Sequence, residues 1–182
     1  VNLMIQLWKF GISLSLTIID LLFWFLAARF NPQIYFADWK LDLSQEEIDS
    51  FFSPDYFAAR DKFNAAATSL DAKIKTILHP TAKGPNEKDT YLDCATFGNA
   101  SSNTLIVLIS GTHGPEAYAG SAIQTGIVCN FTKLFGNFDC KFAFIHAHNP
   151  FGFAWDLRFN EDNIDLNRNY IDDFSHNLPK NP

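Results

Sequence analysis

The sequence predicts an α/β domain with a mixed, mostly parallel sheet, flanked by helices in three layers. Leu105–Ile109 is an unbroken run of leucine and β-branched residues, typical of a strand buried on both faces. Lys141–Ala147 predicts a second strand, and the apolar residues 117–135 between the two predict a largely buried helix. A strand, a helix and a strand in this order form a right-handed crossover that makes the two strands parallel.

Composition limits the classes of partner. The 182 residues are 47% apolar, enough for one domain with a real core, and the net charge is −6 with no basic cluster. We therefore expect no nucleic acid as a main partner. The three cysteines are widely spaced and form no C-x-x-C pair, which predicts buried reduced thiols rather than a disulfide framework.

Residues 1–50 are predicted to be an apolar amino-terminal segment followed by a linker. Residues 10–28 carry one charge, Asp20, and are long enough to cross a bilayer, although that aspartate makes insertion marginal. Three interpretations remain open: a signal anchor, an apolar helix packed on the domain, or upstream sequence foreign to the mature protein. Any membrane contact is expected only through this segment, and the compartment is left open, with the cytoplasm favoured for the domain.

Residues 51–182 are predicted to be the amino-terminal part of a larger domain. A helix is expected to start with Ser53 and Pro54, to bury one stripe at a 3–4 spacing, and to end near Leu78. His79 precedes a proline and is expected in a solvated loop, with the polar residues 81–89 continuing that loop.

The segment Tyr91–Phe97 is expected to be a strand. A short polar connection, residues 98–103, separates it from Leu105–Ile109 and predicts an antiparallel pair of neighbouring strands.

The first functional pattern follows the Leu105 strand. Gly111 breaks the strand, His113 comes next, and Pro115 with Glu116 is typical of the first turn of a helix. His113 and Glu116 are therefore expected at the carboxyl end of a strand, where open α/β sheets bind ligands. Imidazole and carboxylate are both ordinary zinc ligands. The alternative is a surface histidine beside a carboxylate that interacts with the helix dipole.

The second pattern is the long loop of residues 148–170, which holds two arginines, several asparagines and aromatic residues. A guanidinium binds a planar carboxylate through two parallel hydrogen bonds, so this loop suits an anionic substrate. The alternative is a polar surface loop whose arginines pair with its own aspartates. His146 and His148 precede the loop and are interpreted as pocket-lining or structural residues.

Together these residues resemble the zinc carboxypeptidase superfamily of carboxypeptidase A. The resemblance is closer to a branch known mainly as a domain of unknown function, near the aspartoacylase and succinylglutamate desuccinylase-like proteins. It covers residues 51–182 and rests on three strings: Gly111-Thr-His113-Gly-Pro-Glu116, Asn149-Pro150-Phe-Gly, and Asn160-Glu-Asp-Asn-Ile-Asp-Leu-Asn167-Arg168-Asn.

The resemblance implies a role for five residues. His113 and Glu116 would be zinc ligands, Arg158 would polarise the scissile carbonyl, and Asn167 with Arg168 would bind the substrate's terminal carboxylate. Leu157 departs from the branch, which often has a second arginine there.

The resemblance also implies a zinc-dependent hydrolase that cleaves an amide next to a free carboxylate, as a metallocarboxypeptidase or an N-acyl amino acid deacylase. Its substrate would be a small peptide or an N-acyl amino acid. In the family, the third zinc ligand, a histidine, and the catalytic glutamate come well after the Asn-Arg pair. In the given sequence the residues after Arg168 include one histidine, His176, and no glutamate. We therefore expect an inactive amino-terminal fragment. The alternative is a catalytically silent carboxylate-binding or membrane-tethered module of the same fold.

Overall fold

The structure is a computed structural model that describes residues 42–136 and 138–169. Its centre is one four-stranded sheet in the order β1-β2-β4-β3. The strands are β1 (Lys73–Lys83), β2 (Asp89–Gly98), β3 (Leu105–Ile109) and β4 (Lys141–His146). Strands β1 and β4 each pair antiparallel with β2, and β3 pairs parallel with β4. The predicted mixed α/β class is confirmed. The prediction that most strands are parallel is wrong for the four described strands, because two of their three pairings are antiparallel.

The described part of the chain also contains five α-helices. They are α1 (Gln45–Phe51), α2 (Tyr56–Ser69), α3 (Gly114–Cys129), α4 (Phe131–Phe135) and α5 (Pro150–Ala154). No helix among these residues is long and apolar enough to cross a membrane. The predicted apolar segment of residues 10–28 lies outside the described residues.

The expected neighbouring pair of β2 and β3 is wrong. Strand β4 lies between them, with Phe97 opposite Phe142 on one side and Ile106 opposite Phe142 on the other. The short connection of residues 99–104 therefore crosses the end of β4 instead of forming a hairpin. A local turn fixes only the direction of the next strand, whereas burial of the phenylalanines of β4 decides which strand takes the central place.

The helix predicted to run to Leu78 ends at Ser69, and residues 73–83 form β1 instead. Asp55 rather than Ser53 caps α2, accepting a hydrogen bond from the Ala58 amide at 2.8 Å. The stripe of apolar residues spaced by three and four continues into Ile74 and Ile77, but alternating residues from Lys73 onwards also suit a strand. Pairing with β2 settles this ambiguity, so the helical assignment of residues 70–78 and the solvated loop at His79 are both wrong.

One face of the sheet carries the core. Phe142 and Phe144 of β4 are buried there with Phe63 of α2 and Val128 of α3. The other face of edge strand β3 is open: Leu105, Val107 and Ile109 are 55%, 48% and 56% exposed. Burial of β3 on both faces is therefore wrong in the described residues, which form two layers rather than three.

A buried polar cluster joins α2 to the sheet. Asp93 of β2 is fully buried and accepts hydrogen bonds from Arg60 Nε at 2.6 Å, Thr76 Oγ1 at 2.5 Å and Asn64 Nδ2 at 3.1 Å. Burial raises the pKa of Asp93, but the bonds from Arg60, Thr76 and Asn64 outweigh it and hold the pKa below its ordinary value. This cluster fixes α2 against β1 and β2.

His146 lies beside this cluster, directly opposite Asp93 in the sheet. It is fully buried, stacks on Phe63 with ring centroids 4.6 Å apart, and shares a 2.8 Å hydrogen bond with Ser121 Oγ. Burial lowers the pKa of His146 to about 4, because an imidazolium loses its hydration there. His146 is thus a structural residue.

We predict that His146 makes the fold sensitive to acid. An unfolded histidine titrates near pH 6.5, so between about pH 6.5 and 4 the unfolded state binds one proton more than the folded state. Stability is unaffected by this group above pH 6.5 and falls by about 3 kcal/mol as the pH drops to 4. Urea unfolding at several pH values measures this slope.

His146→Gln is the matched variant, since its amide retains a hydrogen-bonding group near Ser121 without a titrating proton. Between pH 6 and 4.5 its stability should fall less steeply than that of the wild type, by about 1.4 kcal/mol per pH unit. Parallel slopes in the two proteins would contradict the burial of a neutral imidazole.

Candidate functional site

Two loops meet at the carboxyl ends of β3 and β4. The His148 amide donates to the carbonyl of Ser110, and the Asn149 amide donates to the carbonyl of Gly111, both at 2.8 Å. Gly111 has φ +73°, a backbone conformation that glycine adopts without steric cost. These bonds fix the turn that leads into α3 against the turn that leads into α5.

A second set of backbone contacts brings the long loop to the start of α3. The Gly114 amide donates to the carbonyl of Leu157 at 3.0 Å, and the Leu157 amide donates to the carbonyl of Gly152 at 2.8 Å. A Cβ at Gly114 would collide with both carbonyls, so this approach requires glycine. As a result, Arg158 follows directly on a residue that is hydrogen-bonded to the neighbour of His113.

Four charged or titratable side chains converge at this point. His113 Nε2 lies 2.9 Å from Asp165 Oδ1, and His113 Nδ1 lies 3.3 Å from Glu116 Oε1. Arg158 Nε donates to Asp165 Oδ2 at 3.0 Å, and Arg158 Nη1 lies 3.7 Å from Glu116 Oε1. The structure thus brings together three of the predicted site residues, His113, Glu116 and Arg158, around Asp165. The sequence indicated Asp165 only as one of the loop aspartates that could pair with the arginines.

The four convergent side chains differ in their exposure to solvent. The side chains of His113 and Asp165 are 11% and 14% exposed, whereas those of Arg158 and Glu116 are 43% and 61% exposed. His113 precedes α3 and Glu116 lies in its first turn, where the helix dipole favours a negative charge. The group is therefore anchored on one side and open to solvent on the other.

The two ring nitrogens of His113 face different carboxylates. When the ring carries a single proton, the shorter contact, 2.9 Å to Asp165, favours that proton on Nε2. Nδ1 then presents a lone pair beside Glu116 Oε1, an arrangement that repels unless a proton or a cation lies between the two atoms. Metal-ligating histidines usually donate their other nitrogen to a carboxylate in this way.

The separation of these two donor atoms also fits a metal ion. Zinc bonds of about 2.0–2.2 Å in tetrahedral geometry place two ligand atoms about 3.4 Å apart. The observed distance between His113 Nδ1 and Glu116 Oε1 is 3.3 Å. These two residues therefore fit part of a zinc site. Among the residues that the structure describes, no group of three or more candidate ligands is found.

The electrostatics of Asp165 follow from its contacts. The hydrogen bond to His113 is the largest influence, and with the Asn167 amide and Arg158 it lowers the pKa of Asp165 to about 2. Asp165 is therefore ionised at neutral pH and balances the charge of Arg158. The sequence feature that could have identified Asp165 is its place two residues before Asn167, within the string that carries the family resemblance.

Asn167 and Arg168 lie beyond Asp165 on a short 3-10 helix, Leu166–Arg168. The Asn167 amide donates to Asp165 Oδ1 at 2.9 Å, and Arg168 Nη1 donates to the carbonyl of Asn167 at 3.0 Å. Both side chains are exposed. His148 stands apart from the four convergent groups: its Nδ1 lies 3.3 Å from Thr112 Oγ1, and burial lowers its pKa.

Solved structures that match part of the chain include three glutaminyl cyclases. The enzyme from Fimbriiglobus ruber matches at 10% identity and a TM-score of 0.36, over 56% of this chain and 42% of that one. The Macrostomum lignano enzyme matches at 11% identity and a TM-score of 0.40, over 57% and 38%. The Porphyromonas gingivalis enzyme matches at 11% and 0.34, over 56% and 48%. The match thus spans less than half the length of each of these proteins.

No curated protein sequence matches the chain. A family model does match, over residues 52–182, which include every side chain of the convergent group. The chain therefore belongs to the family described as protein of unknown function (DUF2817).

Proposed function

We propose that the chain contributes to a zinc-dependent hydrolase that cleaves an amide bond next to a free carboxylate. The observation that carries this proposal is the orientation of His113, whose Nε2 is held by Asp165 while Nδ1 and Glu116 Oε1 lie at the spacing of two zinc ligands. His113 and Glu116 would hold the metal. The third ligand and the general base would come from residues other than those described.

When bound, zinc would supply a Lewis acid that activates a water molecule and polarises the substrate carbonyl. Arg158 would stabilise the negative charge that develops on the carbonyl oxygen, because its guanidinium keeps donors beyond the Nε that is bound to Asp165. Asp165 would keep His113 in one tautomer and Arg158 in one orientation at the same time. Charge and geometry at the reacting centre would thus be set before the substrate arrives.

The substrate's carboxylate would bind to Arg168 and Asn167. Arg168 is exposed and follows Asp165 by three residues, so its guanidinium extends from the same short helix that positions the group. A planar guanidinium suits a carboxylate, and the side-chain amide of Asn167 would fix the orientation of that carboxylate. A small peptide or an N-acyl amino acid carries the required group.

A catalytically silent carboxylate-binding module of the same fold is the second candidate. It is favoured by the absence of a group of three candidate ligands in the described part of the chain. It also agrees with the pairing of Arg158 and Asp165, since a loop whose arginine is held by its own aspartate needs no metal to be ordered. Metal binding separates the two candidates.

We predict that zinc binding by the whole protein depends on His113. His113→Ala removes one ligand and should abolish stoichiometric zinc, while Asp165→Asn should weaken the zinc affinity by about 10- to 100-fold. Elemental analysis and competition with a chelator measure both effects, and circular dichroism reports the fold.

His148→Ala is the matched control, since His148 lies near the same loop but outside the convergent group. Its zinc content should equal that of the wild type. Unchanged zinc content in a folded His113→Ala variant would contradict the proposal and leave the silent module.

We predict a separate effect of Arg158 on the chemical step. Arg158→Ala should lower kcat of the whole protein by about 10²- to 10³-fold with little change in KM, because a bond to the developing oxyanion exists only in the transition state. Arg168→Ala should instead raise KM for substrates with a free carboxylate. Steady-state kinetics with a peptide and its carboxyl-terminal amide distinguishes the two roles, and a loss confined to KM in Arg158→Ala would refute the assignment.

A further inference from the structure

Strand β1 has an irregularity close to the candidate site. Leu78 lies opposite Tyr91, and the next paired residue, Lys83, lies opposite Asp89, so four residues of β1 (79–82) lie opposite one residue of β2, Thr90. Pro80 lies in this bulge and has no amide hydrogen to give to the sheet. Bulges of this kind redirect side chains, and here the redirected side chain is His79.

Both ring nitrogens of His79 are engaged. The Ala82 amide donates to His79 Nδ1 at 3.1 Å, which closes the bulge and places the ring proton on Nε2. His79 Nε2 lies 3.2 Å from Glu161 Oε2, and the two side chains are 12% and 24% exposed. The contact is largely shielded from water, and because Nδ1 accepts from Ala82, it joins a neutral imidazole to the carboxylate.

Glu161 belongs to the tight turn of residues 160–164. The Asn160 amide donates to the carbonyl of Ile164 at 3.0 Å, and the Ile164 amide donates to Asn160 Oδ1 at 2.8 Å. Asp165 follows this turn directly. The position of the turn therefore sets the position of the carboxylate that contacts both His113 and Arg158.

The preceding part of the loop is held by separate contacts. Trp155 Nε1 donates to the carbonyl of Lys83 at 2.8 Å, and Tyr118 Oη donates to Asp156 Oδ1 at 2.6 Å. With the Gly114–Leu157 bond, these contacts fix the residues up to Arg158. Glu161 fixes the residues that follow, on the side that leads to Asp165.

We propose that His79 is a positioning residue: through Glu161 it holds the 160–164 turn so that Asp165 bridges His113 and Arg158. The polar contacts of His79 go to Ala82 and Glu161 and not to the four convergent side chains, so it acts through the backbone of the turn. The consequence for metal binding rests on the proposed function, whereas the positioning of Asp165 does not.

Two substitutions separate this role from closure of the bulge. His79→Asn retains an acceptor near the place of Nδ1 for the Ala82 amide but does not reach Glu161. His79→Gln retains a donor near the place of Nε2 for Glu161 but loses the acceptor. Glu161→Ala removes the contact from the loop side and leaves β1 unchanged.

Hydrogen exchange of the backbone amide of Asn167, which donates to Asp165, measures how firmly Asp165 is positioned, without any metal. His79→Asn and Glu161→Ala should each speed this exchange by about fivefold, because the turn loses a polar contact that is largely shielded from water, while His79→Gln stays close to the wild type. The amide of Phe144 in β4 is the reference for global stability. Combining His79→Asn with Glu161→Ala should add nothing to either change.

Faster exchange in His79→Gln with wild-type exchange in His79→Asn would overturn the proposal, because closure of the bulge would then be the role of His79. Wild-type exchange in Glu161→Ala would overturn it as well. Zinc affinity of the whole protein is a separate measurement. If exchange changes as expected while zinc affinity does not, the positioning role stands and the proposed role of Asp165 at a metal is refuted.

Discussion

The arrangement of the candidate site depends on the carboxylate of Asp165. One of its oxygens binds His113 Nε2 and the Asn167 amide, and the other binds Arg158 Nε. His113 and Arg158 are 45 residues apart in the sequence, and Asp165 joins their side chains where the Gly114–Leu157 backbone bond brings their neighbours together. The same carboxylate explains why His113 directs its other nitrogen towards Glu116.

The backbone makes that bridge possible. Gly114 allows the carbonyls of Gly152 and Leu157 to approach the start of α3, and the turn after β3 is hydrogen-bonded to the turn after β4. These contacts satisfy backbone groups that would otherwise be left unpaired at the ends of two strands. A loop held by its backbone can carry charged side chains at low entropic cost, because the chain is ordered before the side chains pair.

The three histidines His146, His113 and His79 lie in different environments. His146 is buried against Phe63 with a pKa lowered to about 4, while His113 follows the neighbouring strand β3 and lies beside the exposed Glu116. His79, in the bulge of β1, supports the loop from the far side. Strand β3 presents an exposed apolar face, so the described helices cover the sheet on one side.

Sequence by itself determined the strand–helix–strand unit of β3, α3 and β4, and it identified His113, Glu116 and Arg158 as residues that belong together. These features follow from local patterns: an apolar run, a proline and a carboxylate in the first helical turn, and a recognisable string of residues. The end of α2, the central place of β4, the exposed face of β3 and the contacts of His79 were decided by tertiary structure. Each depends on which distant segment covers or pairs with a residue. Asp165 acquires its importance in the same way, because His113, 52 residues away in the sequence, meets it only when the two loops fold together.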